Sequence, residues 1–270
     1  MSESVVGSRW SLDRPRPLHE DFEVLSSRRH NGNGNGRPRA IPMIDGRAVD
    51  AQRISAEVED MGAEEAIAWA IETFGSGLGF AVSFQKTSSV IMDIAHRLDS
   101  GMRFFYLDTE LLFPETYATR DALADRYGIE FERFAQVNPP GLRERWEANL
   151  WGESDECCAS RKVEVMHRAL EDAECWVSGI RRVDSKTRAG AAKFGWDVRF
   201  DRWKLNPVAD WSDQQIWDYI EENDVPYNPL HDQGYPSIGC MPCTSKPTEE
   251  GDARSGRWAG SARSECGLNG

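Results

Sequence analysis

Between Ala51 and Phe134 the chain switches repeatedly between two periodicities. Ala66, Ile67, Ala70, Ile71 and Phe74 recur at helical spacing and predict a helix over Ala63 to Phe74, after an earlier one from Ala51 to about Asp60. Gly75, Ser76 and Gly77 stop it. Short apolar runs at Leu78 to Phe84, Arg103 to Leu107 and Ile129 to Phe134 read as buried strands, with helices predicted at about Ser88 to Leu98 and Pro114 to Tyr127 between them. Strands separated by helices close into a sheet through right-handed crossovers. The expected class is therefore α/β, a parallel sheet with helices on both faces and a ligand at the carboxyl ends of its strands. Trp176 to Ile180 reads as a further strand. Ser212-Asp213-Gln214-Gln215 is a capping box that starts a helix over Asp213 to Asn223, with Trp211 and Ile216 placed as its hydrophobic staple.

The 270 residues carry 32 basic and 45 acidic side chains, a net charge of −13. General nucleic-acid binding is excluded on this balance, because neutralising phosphates requires the opposite sign. No apolar run approaches the roughly 20 residues that span a bilayer, so no membrane segment is expected. The first residues lack the apolar core of a secretory signal. A cytoplasmic, reducing setting is the expectation, and the six cysteines read as ligands or nucleophiles in preference to disulfides. Residues 1–46, with the run Asn31-Gly32-Asn33-Gly34-Asn35-Gly36 and few large apolar side chains, are expected to form a disordered tail. Residues 47–270 form the folded domain.

Cys157 and Cys158 are adjacent, and Cys240-Met241-Pro242-Cys243 is a C-x-x-C. Two local pairs of thiolates suit a four-coordinate metal centre, either zinc or an iron–sulfur cluster. Zinc knuckles usually space their cysteines, whereas neighbours reach different corners of a cubane more comfortably. A redox C-x-x-C beside an unrelated pair is the remaining alternative. Cys175 opens a core strand and reads as a small buried hydrophobe. Cys266 stands alone near the end of a run rich in Gly, Ser and Arg, a segment of about 245–270 that reads as a mobile arm.

Cys157-Cys158 with Arg161-Lys162, Trp176 to Arg182, Lys204-Leu205-Asn206-Pro207, Tyr227-Asn228-Pro229-Leu230-His231, Gly234 to Cys243 and Glu265-Cys266-Gly267-Leu268 together resemble the assimilatory sulfonucleotide reductases. The resemblance runs from about Phe80 onward and is nearest to the cluster-bearing adenylyl-sulfate (APS) branch. It implies an adenine nucleotide α-hydrolase-like fold and a [4Fe-4S] cluster on Cys157, Cys158, Cys240 and Cys243. It further implies Cys266 as the nucleophile that forms an S-sulfocysteine, and a thioredoxin-like dithiol that resolves it within sulfate assimilation. Lys162, Arg188, Arg254 and Arg257 fall on positions that bind nucleotide or phosphosulfate in that family. Ser83, in the loop after the first sheet strand, and Asp108-Thr109, after the second, fall on its nucleotide site.

Arg161, Arg181, Arg182 and Lys186 add to a local cationic cluster within an acidic body. The loop Ser83-Phe84-Gln85-Lys86-Thr87-Ser88 contains no glycine, which disfavours the phosphate cradle of ATP-cleaving relatives. Glu110 stands where the family usually has glycine, and Asn269 stands where it usually has a histidine. Asparagine donates hydrogen bonds but carries no titrating proton. The alternatives are a reductase that takes the 3′-phosphorylated substrate (PAPS) alone or beside APS, an ATP-consuming thiolation enzyme, and a non-enzymatic cluster- or zinc-held redox module. The last leaves Cys266 and the arginines of the arm without a role.

Overall fold

The computed structural model describes residues 43–44, 47–48, 50–136, 156–247, 253–258 and 265–268. Most of the expected tail, part of the arm and Asn269 lie outside the described residues. A two-residue antiparallel pair, β1 (Met43–Ile44) with β2 (Arg47–Ala48), lies across the boundary expected at residue 46.

Six strands make the main sheet: β3 (Leu78–Ala81), β4 (Arg103–Asp108), β5 (Glu132–Ala135), β6 (Cys175–Val177), β7 (Phe194–Asp197) and β8 (Arg202–Leu205). Their order is β5-β4-β3-β6-β8-β7. Every neighbouring pair is parallel except β7 with β8, so the expected parallel sheet carries one antiparallel edge. The hairpin escaped the sequence reading because its strands hold only four residues each and mix Phe194, Trp196, Trp203 and Leu205 with Gly195 and charged residues.

Helices α1 (Ala51–Glu59), α2 (Ala63–Phe74), α3 (Lys86–Leu98) and α4 (Pro114–Tyr127) match the sequence reading, with α3 starting two residues earlier. Then α5 runs through Glu156–Cys158, a π-helical turn Ala159–Val163 and Glu164–Ala169, and α6 is Asp213–Asn223. The period-2 alternation of the strands sorts the core. Phe80, Phe104, Tyr106, Cys175 and Val177 join one cluster with the apolar stripes of α1, α2, α3, α4 and α6. Phe105 and Trp176 point the other way, onto Met166, Ala169 and Leu170 at the end of α5. Helices thus cover both faces.

From β3 the chain moves outward through α3 to β4 and β5, then returns to pair β6 on the other side of β3. A crevice opens at such a reversal, beyond the strands' carboxyl ends. There β3 gives way to a turn in which Phe84 takes φ 57°, a left-handed conformation unusual for a bulky residue. Packing holds it: the buried ring lies edge-on to Tyr106 and Phe131.

The capping box forms at α6, where the Ser212 hydroxyl accepts from the Gln215 N–H at 3.2 Å and the Gln215 side chain accepts from the Ser212 N–H at 2.8 Å. Replacing Ser212 by Ala is expected to cost about 1 kcal/mol. Threonine should restore most of it, as measured by urea unfolding.

Candidate active site and cysteine centre

The crevice is a cavity of about 540 Å³ lined from both sides of the reversal, by Ser83 to Ser88 after β3 and by Ser178 to Arg181 after β6. That size lies within the roughly 300–1,000 Å³ usual for small-molecule sites. Of the residues singled out in the sequence, Ser83, Thr109, Lys162, Arg188, Arg254, Arg257 and Cys266 all line it. Segments far apart in the chain therefore converge on one place.

Asp108 is the exception. Its buried carboxylate accepts from the Tyr117 hydroxyl at 2.7 Å and the Glu110 N–H at 2.8 Å on one oxygen, and from Arg133 Nε at 2.6 Å on the other. Burial raises its pKa, but Arg133, Tyr117 and the Glu110 N–H more than offset that and hold it below the ordinary value. The side chain secures the turn after β4 and does not face the cavity. In that turn Glu110 has φ 58°, a left-handed conformation that glycine adopts without strain.

The cationic cluster divides. Arg182 donates to Glu59 at 2.6 Å and to the Ala191 carbonyl at 2.8 Å, outside the cavity lining, and Lys186 does not line it either. Arg161 donates to the Thr109 carbonyl at 2.5 Å and lines a second, much smaller cavity. Arg181 and Lys86 share Asp213, at 2.9 and 2.7 Å, at the α3 end of the crevice. Arg257 runs over Gly239, where a Cβ would collide with the guanidinium, and donates to the Cys243 carbonyl and the Ser237 hydroxyl, each at 3.2 Å.

Cys157, Cys158, Cys240 and Cys243 line the smaller cavity together, with Arg161, Lys162, Arg257 and Trp258. The Thr109 hydroxyl lies 3.3 Å from the Cys240 sulfur. Burial pushes the Cys157 thiol up to about 11, and the neighbouring Cys158 and Cys240 add to the rise. Cys243 is raised by burial, then by Cys240 and Cys158. Crowded thiols ionise readily only when positive charge is brought among them, as metal binding does. Among the described residues no three His, Cys, Asp or Glu side chains converge as they would on a single ion. Cys175 is buried in the sheet and does not line this cavity, as its sequence position suggests.

Cys266 is buried against Cys158 and Trp258. Burial raises its pKa, but Lys162, the Leu268 N–H and Arg257 outweigh burial and the opposing Glu265, so the thiol ends below its ordinary value. Lys162 is correspondingly raised despite its own burial, by Cys240 and Cys266. Cys266 is thus more acidic than an ordinary thiol, the direction a sulfur nucleophile needs.

His231 carried no assigned role in the sequence, although it closes a quoted motif. Its Nδ1 faces the Tyr235 carbonyl at 2.8 Å and must carry the proton, which leaves Nε2 to accept the Lys86 N–H at 3.2 Å. Gln85 ties the same loop to the segment before Cys240, accepting the Ile238 N–H at 2.8 Å. These bonds do for the glycine-free loop what sequence periodicity does not reveal: they pin it across the crevice.

Residues 78–246 match the phosphoadenosine phosphosulfate reductase domain family. The chain is 39% identical over 234 residues to a protein of Rhodococcus erythropolis named adenosine 5′-phosphosulfate reductase, covering 81% of this chain and 93% of that one. A protein of the same name from Salinibacter ruber is 38% identical over 220 residues, with 80% and 87% covered. Among solved structures, the phosphate complex of phosphoadenylyl-sulfate (PAPS) reductase from Candida auris superposes with a TM-score of 0.61 at 25% identity, over 71% of this chain and 94% of that one.

Burial, then the Lys86 charge, push the His231 imidazole down to about 4 from 6.5. The unfolded chain therefore takes up the proton first. The stability His231 contributes is fully present above pH 6.5 and is lost as the pH falls toward 4. Urea unfolding should show that loss in the wild-type protein and a shallower one in His231→Gln over the same interval.

Proposed function

The chain belongs to the phosphoadenosine phosphosulfate reductase domain family, and from that membership we propose that it reduces adenosine 5′-phosphosulfate to sulfite and AMP in sulfate assimilation. The observation that carries this reading is the meeting, in one crevice, of the Cys266 thiol with Lys162, Arg188, Arg254 and Arg257. In APS a sulfate is joined to the phosphate of AMP as a mixed anhydride. The Cys266 sulfur attacks the sulfate sulfur, the bond from that sulfur to the bridging oxygen breaks, and AMP leaves with the electron pair. Guanidinium and ammonium groups stabilise the charge that builds on the leaving phosphate. The chain then carries an S-sulfocysteine.

A thiolate of a dithiol protein such as thioredoxin attacks the Cys266 sulfur, and sulfite departs with the bonding pair. The second thiol of that protein closes its disulfide and returns Cys266 as a thiolate. Two electrons pass from the dithiol to sulfur, so the balance closes without another redox group. Cys157, Cys158, Cys240 and Cys243 would hold a [4Fe-4S] cluster, which supplies fixed charge beside Lys162 when bound. Four cysteines that line one cavity, two of them adjacent in the chain, suit such a cluster better than the spaced knuckles of a zinc site. No helix among the described residues is long and apolar enough to cross a membrane.

Anaerobically purified protein should release sulfite from APS when thioredoxin is supplied, with kcat/KM for APS at least tenfold above that for PAPS, about 1.4 kcal/mol of transition-state preference. A tenfold preference for PAPS would reverse the assignment. The same protein should be brown and contain about four irons per chain. Replacing any of the four cysteines by Ala should bleach it, and zinc without iron would contradict the cluster.

A further inference from the structure

The carboxylate next to Cys266 is turned inward. Glu265 leaves 7% of its side chain exposed. It accepts Arg188 Nε on one oxygen at 2.8 Å, and Arg188 Nη2 and Arg254 Nη2 on the other at 2.9 and 3.0 Å. The Thr187 hydroxyl lies 3.5 Å from the first oxygen, and Arg188 spends Nη1 on Asp184 at 3.3 Å. The fork of a guanidinium that matches a carboxylate is the same fork that matches a phosphate or sulfate. Both arginines line the crevice, yet the anion-binding edge of Arg188 is already filled by a group of the chain itself.

We propose that Glu265 is an internal competitor for the phosphosulfate position: it latches the Cys266 segment onto Arg188 and Arg254 in the ligand-free protein and yields both guanidiniums to the incoming substrate. The proposal rests on the reading of the crevice as an APS site. Removing a carboxylate from between two half-buried arginines is costly unless another anion replaces it. APS brings a negative charge on the phosphate and another on the sulfate, enough to replace the one that Glu265 withdraws and to engage Lys162 as well. Once the latch opens, the segment keeps its apolar anchor, because Leu268 packs against the clusters containing Trp176 and Trp258. The nucleophile therefore stays by the crevice while its neighbour exchanges partners. After the anhydride is cleaved and only the phosphate of AMP remains, the carboxylate competes for the arginines again, which favours departure of AMP. Glu265 is thus a positioning residue, acting on the reaction through Arg188, Arg254 and the attachment of Cys266.

Two measurements on the full-length protein test this, with Glu265→Gln removing the charge at nearly constant shape and Glu265→Asp keeping it. The first is the rate at which iodoacetamide alkylates Cys266 without nucleotide, read by peptide mass spectrometry on the high-pH plateau where the thiol is fully ionised in every variant, so that loss of the Glu265 charge is not itself counted as opening. The second is the affinity for APS by calorimetry, with each variant placed in a Cys266→Ser background so that no turnover occurs. The latch predicts alkylation about tenfold faster in Glu265→Gln and APS bound several-fold more tightly, with Glu265→Asp close to the parent in both. Alkylation at the parent rate, or weaker APS binding in Glu265→Gln, would overturn the proposal and make Glu265 a fixed brace. If no form binds APS, the functional reading fails by itself, and the alkylation comparison, which needs no nucleotide, still decides the latch.

Discussion

Lys162 lines both cavities, the crevice that holds Cys266 and the smaller space bounded by four cysteines. Burial works against the Lys162 ammonium, and the sulfurs beside it, Cys240 before Cys266, more than offset that and raise its pKa above the ordinary value. The dependence is mutual, since Lys162 is the largest of the charges drawing the Cys266 thiol toward its thiolate. Substrate chemistry and the cysteine centre are therefore coupled through one side chain, placed by the turn of α5 that follows Cys158. That turn is π-helical, a form that adds a residue to the helical turn and is frequent at functional sites. It carries Arg161 and Lys162 directly after the adjacent cysteines.

The sheet does the rest of the positioning. Because β3 sits between β4 and β6, the residues that leave these strands, Ser83 onward, Thr109 and Ser178 onward, surround one opening. Thr109 then touches the Cys240 sulfur, and the Arg161 guanidinium is fixed on the Thr109 carbonyl. A short polar chain thus runs from strand end to cysteine centre. The departure from glycine at Glu110 leaves this turn left-handed, with the strain offset by the Asp108 carboxylate accepting the Glu110 N–H.

Much of this was legible in the residues. The helical stripe of α2, the capping box of α6 and the apolar runs of β3 and β4 each signal themselves within a dozen residues, and alternation between them implies the sheet. The four paired cysteines, Cys266 and the flanking cations were visible as types and spacings. Their convergence was not, because it depends on contacts across the whole chain, such as Met241 N–H to the Leu111 carbonyl. Nor do the letters show the partners of Asp108: the resemblance puts it at the nucleotide site, and in the structure Arg133 and Tyr117 hold its carboxylate. Equally, nothing in a string of letters shows that Glu265, which merely opposes the Cys266 thiolate on paper, is bound across two arginines.

The most direct measurement is intact-protein and peptide mass spectrometry after mixing the enzyme with APS in the absence of any dithiol. One sulfonate group should be retained per chain, on the peptide containing Cys266, with one equivalent of AMP released, and added thioredoxin should remove the group as sulfite. An adduct on another cysteine, or sulfite formed by Cys266→Ser at the normal rate, would contradict Cys266 as the nucleophile.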